Sequence, residues 1–487
     1  MASLDELKKA RSEKLDKLRK LGIDTYPAVS GRTETIADAK IIFEKDSLSG
    51  KTKTLAGRVM SIRTQGSLMF LNFTDGTGVF QAFLKKPEMS AEQFDLFSEI
   101  ADVGDFFDFT GTFFKTKRGE PTILVSSWKI LAKSLLPLPE KWHGLKDPEE
   151  KLRKRYLDLL LDTELKSVFA RKEKFWDVTR EFLKSRGFLE VETPTLEITT
   201  GGAEARPFKT HHNDFDMDLY LRISVGELWQ KRLMAAGFHK TFEIGRVYRN
   251  EGTSAEHLQE FTNMECYSAY SDDKEGMNFV RELYLSIAKE IYGRTKFESR
   301  GHSFDLSDEW SRIDYADEII KQTGVNVLTD SDETLKEKLI SLKISFGGDN
   351  RERYIDALWK YCRKNITGPA FLVGHPVIVA PLAKLDPADK NKTLMFQPLI
   401  AGSEVGRGYA ELNDPEDQMR RFTEQKKLLD DGDEEAMMPD REFVEMLQHA
   451  MPPTCGFGFG ERLFAILENR SVREVTLFPL VRGKNQP

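Results

Sequence analysis

Two neighbouring segments, FEIGRVYRNEG at 242–252 and EFTNMECYSAY at 260–270, hold charged and aromatic side chains at strand spacing. Joined by a polar loop, they predict an antiparallel pair. Period-two alternation then sets Phe261, Asn263, Glu265 and Tyr267 on one face, with Thr262, Met264 and Cys266 on the other. A carboxylate buried beside a tyrosine is costly unless it meets a cation, so the first face calls for a positively charged ligand. A strand through 407–412 would likewise set Arg407, Tyr409 and Glu411 on one face, unless Gly406 or Gly408 introduces a bulge. Further on, GFGFGERLFAIL at 456–467 reads as a glycine-rich turn whose backbone can pass close to a ligand before a helix opens with Arg462.

These groups need a scaffold to bring them together. Residues 3–21 space Leu4, Leu7, Leu15, Leu18 and Leu21 for a helix, with Lys8, Lys9, Arg11, Lys14, Lys17, Arg19 and Lys20 around them; a docked stripe under a solvated face and an RNA-touching role both fit this pattern. From Thr54 to Leu131 short β-rich runs follow, punctuated by turns at 75–78 and 115–119. Five such strands suit a small Greek-key barrel of the OB kind, a fold that binds oligonucleotides through stacked aromatics and polar groups. The Pro-containing SLLPLPEKW then leads through 143–160 into a charged helix, and a domain boundary falls there. Beyond it, helices such as 167–186 alternate with apolar strands, which predicts a mixed α/β domain. FLEVETPTL at 188–196 reads as a strand closed by Pro194, and residues from about 300 to 370 are charged, mostly helical in pattern and without visible chemistry.

A chain of 487 residues with 40% hydrophobic side chains can bury two or three cores. Its net charge of −7 argues against a general basic coat, yet leaves RNA binding by one domain open. Cys266, Cys362 and Cys455 are isolated, which removes a disulfide framework and any CxxC motif and fits a reducing compartment. The start is charged without an apolar core, and no run approaches a membrane span, so a cytoplasmic protein with no membrane partner is expected.

Taken in order, 188–196, the pair within 242–270 and 456–467 resemble the three signature motifs of the class II aminoacyl-tRNA synthetases. GSEVGRGYAELNDPEDQ at 402–418, preceded by PLAK at 381–384, together with GGAEARPFKTHHN at 201–213 and GELWQKRL at 226–233, is similar to the bacterial-type lysyl-tRNA synthetases rather than the aspartyl or asparaginyl enzymes. The resemblance spans nearly the whole chain and is weakest between about 300 and 370. It implies an α+β multidomain protein: a basic helix and lead-in over 1–50, an OB-fold anticodon-binding barrel over 51–137, a linker over 138–165, and a catalytic domain over 166–487. That domain is built on a mixed, largely antiparallel sheet flanked by helices, with a helical insertion at about 300–370.

The implied activity is activation of L-lysine with ATP and magnesium to lysyl-adenylate and pyrophosphate, followed by transfer to tRNA-Lys, in a homodimer joined through 188–196. In the resemblance Arg249 and Arg462 are catalytic, Arg249 gripping the amino-acid carboxylate and the α-phosphate. Glu251, His257, Phe261 and Glu404 join both arginines around ATP, with Phe261 stacked on adenine. Gly202, Glu227, Glu265, Tyr267, Tyr409 and Glu411 surround lysine, Glu404 and Gln397 hold the metal, and Phe70, Gln81 and Glu120 meet the anticodon. The physics agrees with lysine, because a long side chain ending in an ammonium calls for a carboxylate at the far end of its pocket, here Glu411; an aspartate pocket would need a cation there.

Four positions depart from the family pattern. Glu256 replaces an arginine before His257, Gln397 a carboxylate, Arg407 an asparagine and Glu461 an aspartate. Arg407 then either takes over part of the charge neutralisation that a metal ion or the loop arginine performs in relatives, or pairs with Glu256 or Glu404. Two other functions compete: a lysine-type ligase modifying a protein acceptor, which would lack the N-terminal barrel, and a non-catalytic tRNA-binding paralogue, which would account for Gln397.

Overall fold

The structure, a computed structural model, describes residues 3–46, 50–139, 145–203, 205–433 and 435–483. Residues 140–144 of the expected linker and Glu204 of the 201–213 segment lie outside the described residues. The chain forms two compact units, Met1–Lys146 and Asp147–Pro487.

In the first unit helix α1 (Leu4–Lys20) starts at a Ser3–Glu6 capping box that satisfies two otherwise orphaned amides. Its leucine stripe docks through Leu15 and Leu18, while Leu4, Leu7 and Leu21 stay exposed. Part of the basic face holds this helix in place: Arg11 donates to the carbonyls of Val103 and Ser134, and Lys14 pairs with Asp102 at 2.8 Å.

Strands β1 (Thr52–Gln65), β2 (Leu68–Thr74), β3 (Val79–Lys85), β4 (Phe106–Lys115) and β5 (Pro121–Ala132) close into a barrel in the order β1-β2-β3-β5-β4, as the sequence predicts. Alternation turns Phe73, Phe80, Phe107 and Phe109 inward. Helix α2 (Ala91–Ile100), between β3 and β4, buries Phe94, Phe97 and Ile100 against that core. Gly111 sits at a register shift where a Cβ would lie 1.9 Å from the Leu124 carbonyl oxygen, so only glycine lets β4 and β5 approach this closely.

The second unit begins earlier than the sequence reading placed it. Residues 148–161 form two short helices rather than linker, and buried Arg155 donates to the carbonyls of Glu474 and Thr476. Helix α3 (Thr163–Ser185) precedes β6 (Leu189–Glu190), so the strand expected over 188–196 is reduced to this fragment and Leu196–Glu197. There follow α4 (Glu227–Ala235), β7 (Lys240–Tyr248), β8 (Glu260–Ala269), α5 (Asp273–Tyr292), β9 (Ser311–Asp314), α6 (Arg351–Cys362), β10 (Ala370–Val373), β11 (Met395–Ile400), β12 (Arg407–Ala410), β13 (Thr454–Gly460) and α7 (Glu461–Leu467).

The main sheet runs β9-β10-β11-β12-β13-β8-β7-β6, with Ser403–Glu404 paired to β11 off this path. The pairs β9/β10 and β6/β7 are parallel and the remaining neighbours antiparallel, the mixed and largely antiparallel sheet that was expected. The 300–370 stretch is therefore not an insertion alone. It is mostly helical but supplies β9 and leads into β10, strands of four residues each, too short for a period-two pattern to show.

One face of the sheet packs on α3 and α5: Met264, Cys266, Phe396, Phe457 and Phe459 meet Phe175, Val280 and Tyr284. The glycine-rich turn expected at 456–460 is instead strand β13, with Phe457 and Phe459 in the core and Gly456, Gly458 and Gly460 on the opposite face. A Cβ on Gly456 would stand 2.3 Å from Glu411 Oε1, and one on Gly458 2.8 Å from Glu265 Cγ. Those glycines make that face concave, and the cavity lies over it.

Candidate active site

A cavity of about 410 Å³ opens on the glycine face of the sheet, and every catalytic-unit residue singled out in the sequence lines it: Gly202, Glu227, Arg249, Glu251, His257, Phe261, Glu265, Tyr267, Gln397, Glu404, Tyr409, Glu411 and Arg462. The alternation read from 260–270 holds, since Phe261, Asn263, Glu265 and Tyr267 face the cavity while Met264 and Cys266 join the core. Arg407, Tyr409 and Glu411 share a wall as well.

One end is acidic. Glu265 accepts hydrogen bonds from the Val225 amide (2.8 Å), Asn263 Nδ2 (3.1 Å) and Tyr267 Oη (3.2 Å). Glu227 accepts from Tyr409 Oη. A residue that the sequence reading passed over completes this end: Lys231, only 1% exposed, places Nζ 2.8 Å from Glu227 and 2.6 Å from Glu411. Burial alone would strip its proton, but Glu227 and Glu411 outweigh that and hold it charged. Burial raises the carboxyl pKa values of Glu265 and Glu411, and their like-charged neighbour Glu227 adds to the effect. Glu411 Oε1 is buried with no hydrogen-bond partner. Three carboxyl groups share one internal cation here, so burial disfavours their charge until a further cation is bound.

Arginines, carboxylates and the aromatic Phe261 line the rest of the cavity. Arg249 donates to the Ile223 carbonyl at 3.2–3.3 Å, and its guanidinium lies 5.3 Å from the ring centre of half-buried Phe261. Arg462 donates to the Glu404 carbonyl (3.0 Å) and to His257 Nε2 (3.4 Å). Burial and then the Arg462 charge depress the His257 pKa to about 4, so its imidazole is neutral at pH 7. Burial raises the Glu251 carboxyl pKa.

Glu256, unexpected in its position, is bound by Arg300 and by Arg363 (3.0 Å) and accepts from Ser403 Oγ. Burial disfavours its charge, yet Arg462 and Arg363 hold its carboxyl far below the ordinary range. Glu404 accepts from Trp359 Nε1 at 2.5 Å, and Arg363 and Arg462 keep it ionised against burial. Gln397 Oε1 faces His375 Nε2 at 2.9 Å. Glu461, the mild departure, accepts the Thr262 amide (3.2 Å) and pairs with Lys172 of α3 (2.8 Å), a structural tie.

The 300–370 stretch, without visible chemistry in the sequence, supplies part of the cavity wall. Arg353, Asp356, Trp359 and Lys360 of α6, and Arg363 just after it, line the same cavity. Their i, i+3, i+4 spacing was visible as a polar stripe, which ordinarily marks a solvated helix face; the sheet order turns it inward.

A sequence profile described as "tRNA synthetases class II (D, K and N)" matches residues 147–482, and one described as "OB-fold nucleic acid binding domain" matches residues 53–131. The lysine–tRNA ligase of Thermotoga maritima is 42% identical over 99% of this chain and 97% of its own length. That of Roseiflexus sp. (strain RS-1) is 42% identical over 99% of this chain and its full length, and that of Thermoanaerobacter pseudethanolicus 42% over 99% and 97%. The chain belongs to the class II lysine–tRNA ligases. The protein-acceptor ligase and the non-catalytic paralogue give way to this activity, the ATP-driven joining of lysine to tRNA.

The residues singled out on the barrel, Phe70, Gln81 and Glu120, lie on strands β2 and β3 and just before β5. Phe70 is half-buried and stays out of the barrel core. It stacks on Phe83 with ring centres 4.5 Å apart, and Phe83 continues to Phe114 at 5.9 Å. Gln81 Oε1 accepts from Thr122 Oγ1 at 3.0 Å, and Glu120 is exposed.

Proposed function

We propose that lysine lies along the cavity with its ε-ammonium on Glu411, its α-ammonium toward Gly202 and Glu227, and its carboxylate turned to Arg249. The observation that carries this is the charge lining the cavity: Glu227 and Glu411 around the internal cation Lys231, with Glu411 Oε1 unpartnered, and Arg249 with no ion pair among the described residues. Gly202, at φ +87°, has no room for a side chain beside Ser224 and Glu227, which leaves the backbone open to the α-ammonium, with Tyr267 and Tyr409 walling the stem. Adenine stacks on Phe261, Glu251 and His257 hold the nucleotide, and Arg462 meets the phosphate tail.

A lysine carboxylate oxygen attacks the α-phosphorus and pyrophosphate leaves; a terminal ribose hydroxyl of tRNA then attacks the carbonyl carbon and AMP leaves. The protein needs no nucleophile of its own, and it works by positioning and charge neutralisation. Glu404 would be the residue to hold a magnesium ion brought with ATP, which would supply neutralisation of phosphate charge. The donors present fit an ion touching one protein carboxylate, Glu404, rather than one held by two, because Gln397 offers only an amide oxygen already turned to His375. A complex with lysine and a non-hydrolysable ATP analogue tests the assignment; a lysine lying with its ε-ammonium at the Arg249 end overturns it.

For the anticodon we assign base stacking to Phe70 and base-edge hydrogen bonds to Gln81 and Glu120. Phe70→Ala is expected to raise the Michaelis constant for tRNA, with roughly 1–3 kcal/mol of stacking lost, and to spare lysine activation. Equal damage to both steps would count against a role in RNA contact. We assign a homodimer to the segment around 188–196, where Leu189, Leu196 and Ile198 are exposed. Sedimentation velocity is expected to return twice the chain mass, and a monomer would refute it. A cytoplasmic setting suits three free, buried cysteines, and no helix among the described residues is long and apolar enough to cross a membrane.

A further inference from the structure

Arg407 lines the cavity, is exposed, and its side chain makes no hydrogen bond or ion pair among the described residues. It is not the structural partner of Glu256 or Glu404 that one sequence reading allowed. Those carboxylates are committed elsewhere, Glu256 to Arg300 and Arg363, and Glu404 to Trp359, Arg363 and Arg462. Glu227 and Glu411 are held by Lys231.

Its position is fixed by the sheet. Arg407 pairs with Gly458 of β13, two residues along β12 from Tyr409 of the acidic end. It also stands close enough to Arg249 for the two guanidinium charges to repel, one of the causes that lower the Arg249 pKa after burial itself. Arg249, which meets Glu251 and Glu265 only through space, and Arg407, whose side chain has no partner among the described residues, together offer two guanidinium groups to the cavity, an arrangement that suits an anion. Of the other polar groups nearby, Gln397 is an amide and burial depresses the His375 pKa to about 4, so neither adds charge, while Glu251 and Glu265 offset part of the Arg249 charge.

Resting on the reading of the site given above, we propose that Arg407 is a substrate-contacting residue that grips the junction of the lysine carboxylate and the α-phosphate alongside Arg249, and that it lowers the enzyme's demand for magnesium. An amide at 397 in place of a carboxylate, and a guanidinium at 407 in place of an amide, together shift the local charge by +2, the charge of one magnesium ion. Guanidinium keeps that charge at any working pH and reaches two oxygens at once, so it neutralises a phosphoryl junction without metal.

The test uses the purified full-length enzyme and a sulfamoyl analogue of lysyl-adenylate, titrated calorimetrically in EDTA, so that binding is read without metal and without turnover. Arg407→Asn is expected to weaken the analogue by about ten- to a hundred-fold, the range for a lost charged hydrogen-bond pair. Arg407→Lys should recover part of that loss. In pyrophosphate exchange, the magnesium concentration for half-maximal rate should rise in Arg407→Asn. Unchanged analogue affinity in Arg407→Asn overturns the proposal. Arg249→Ala separates the two levels: if it loses affinity while Arg407→Asn does not, only the role of Arg407 falls, and if neither loses affinity the site reading falls with it. Because Arg407 is exposed and unpaired, its substitution leaves the fold unburdened.

Discussion

Arg249→Ala lowers lysine-dependent exchange of pyrophosphate into ATP by about two to three orders of magnitude while leaving the protein folded. The size follows from the role: a fixed cation aimed at charge that develops on the α-phosphoryl group in the transition state is worth roughly 10²–10³ in rate when removed. The survival of the fold follows from its surroundings. Its hydrogen bonds go to one backbone carbonyl, Ile223, and its guanidinium faces Phe261; Glu251 and Glu265 lose a through-space charge but no hydrogen-bond partner when it is deleted. Exchange kinetics and a thermal melt on the same preparation check both halves. Near-normal exchange would remove Arg249 from the site, and a large drop in melting temperature would make it structural.

Glu411→Gln is expected to weaken lysine by about 2–4 kcal/mol, because the substrate ammonium is then buried against a neutral amide. At RT of about 0.59 kcal/mol that is a rise in the Michaelis constant for lysine of roughly thirty- to a thousand-fold. The carboxylate is 2% exposed, and its unpartnered Oε1 is the atom assigned to the ligand. Lys231 loses one partner in this variant but keeps Glu227 at 2.8 Å, so the acidic end retains its internal counter-charge. The Michaelis constant for ATP, whose contacts lie at the Arg249 end, should be unchanged. If the lysine constant stays at the wild-type value, the pocket is assigned the wrong way round.

What the sequence determined by itself is what depends on neighbours along the chain. Alternation in 260–270 separated Glu265 and Tyr267 from Met264 and Cys266 because the strand period is a local property. The barrel strands and their turns were legible for the same reason, and the motif resemblance added which catalytic-unit residues share the cavity. Local pattern misled where one composition serves two geometries: GFGFG reads as a turn, yet its phenylalanines fill a core and its glycines floor a cavity on a straight strand. What only the tertiary structure decided is which faces meet across long separations. Lys231 follows Glu227 by four residues, a spacing that ordinarily marks a solvated helix pair, and nothing nearby in the chain announces that β12 brings Glu411 against it. The polar stripe of α6 becomes a cavity wall, and Glu256 meets Arg300 and Arg363, only because strands distant in sequence lie side by side in the sheet. Charge pairing acts through space over a few ångströms, whereas periodicity reports only the chain's own repeat, so the partners of a buried charge wait on the fold.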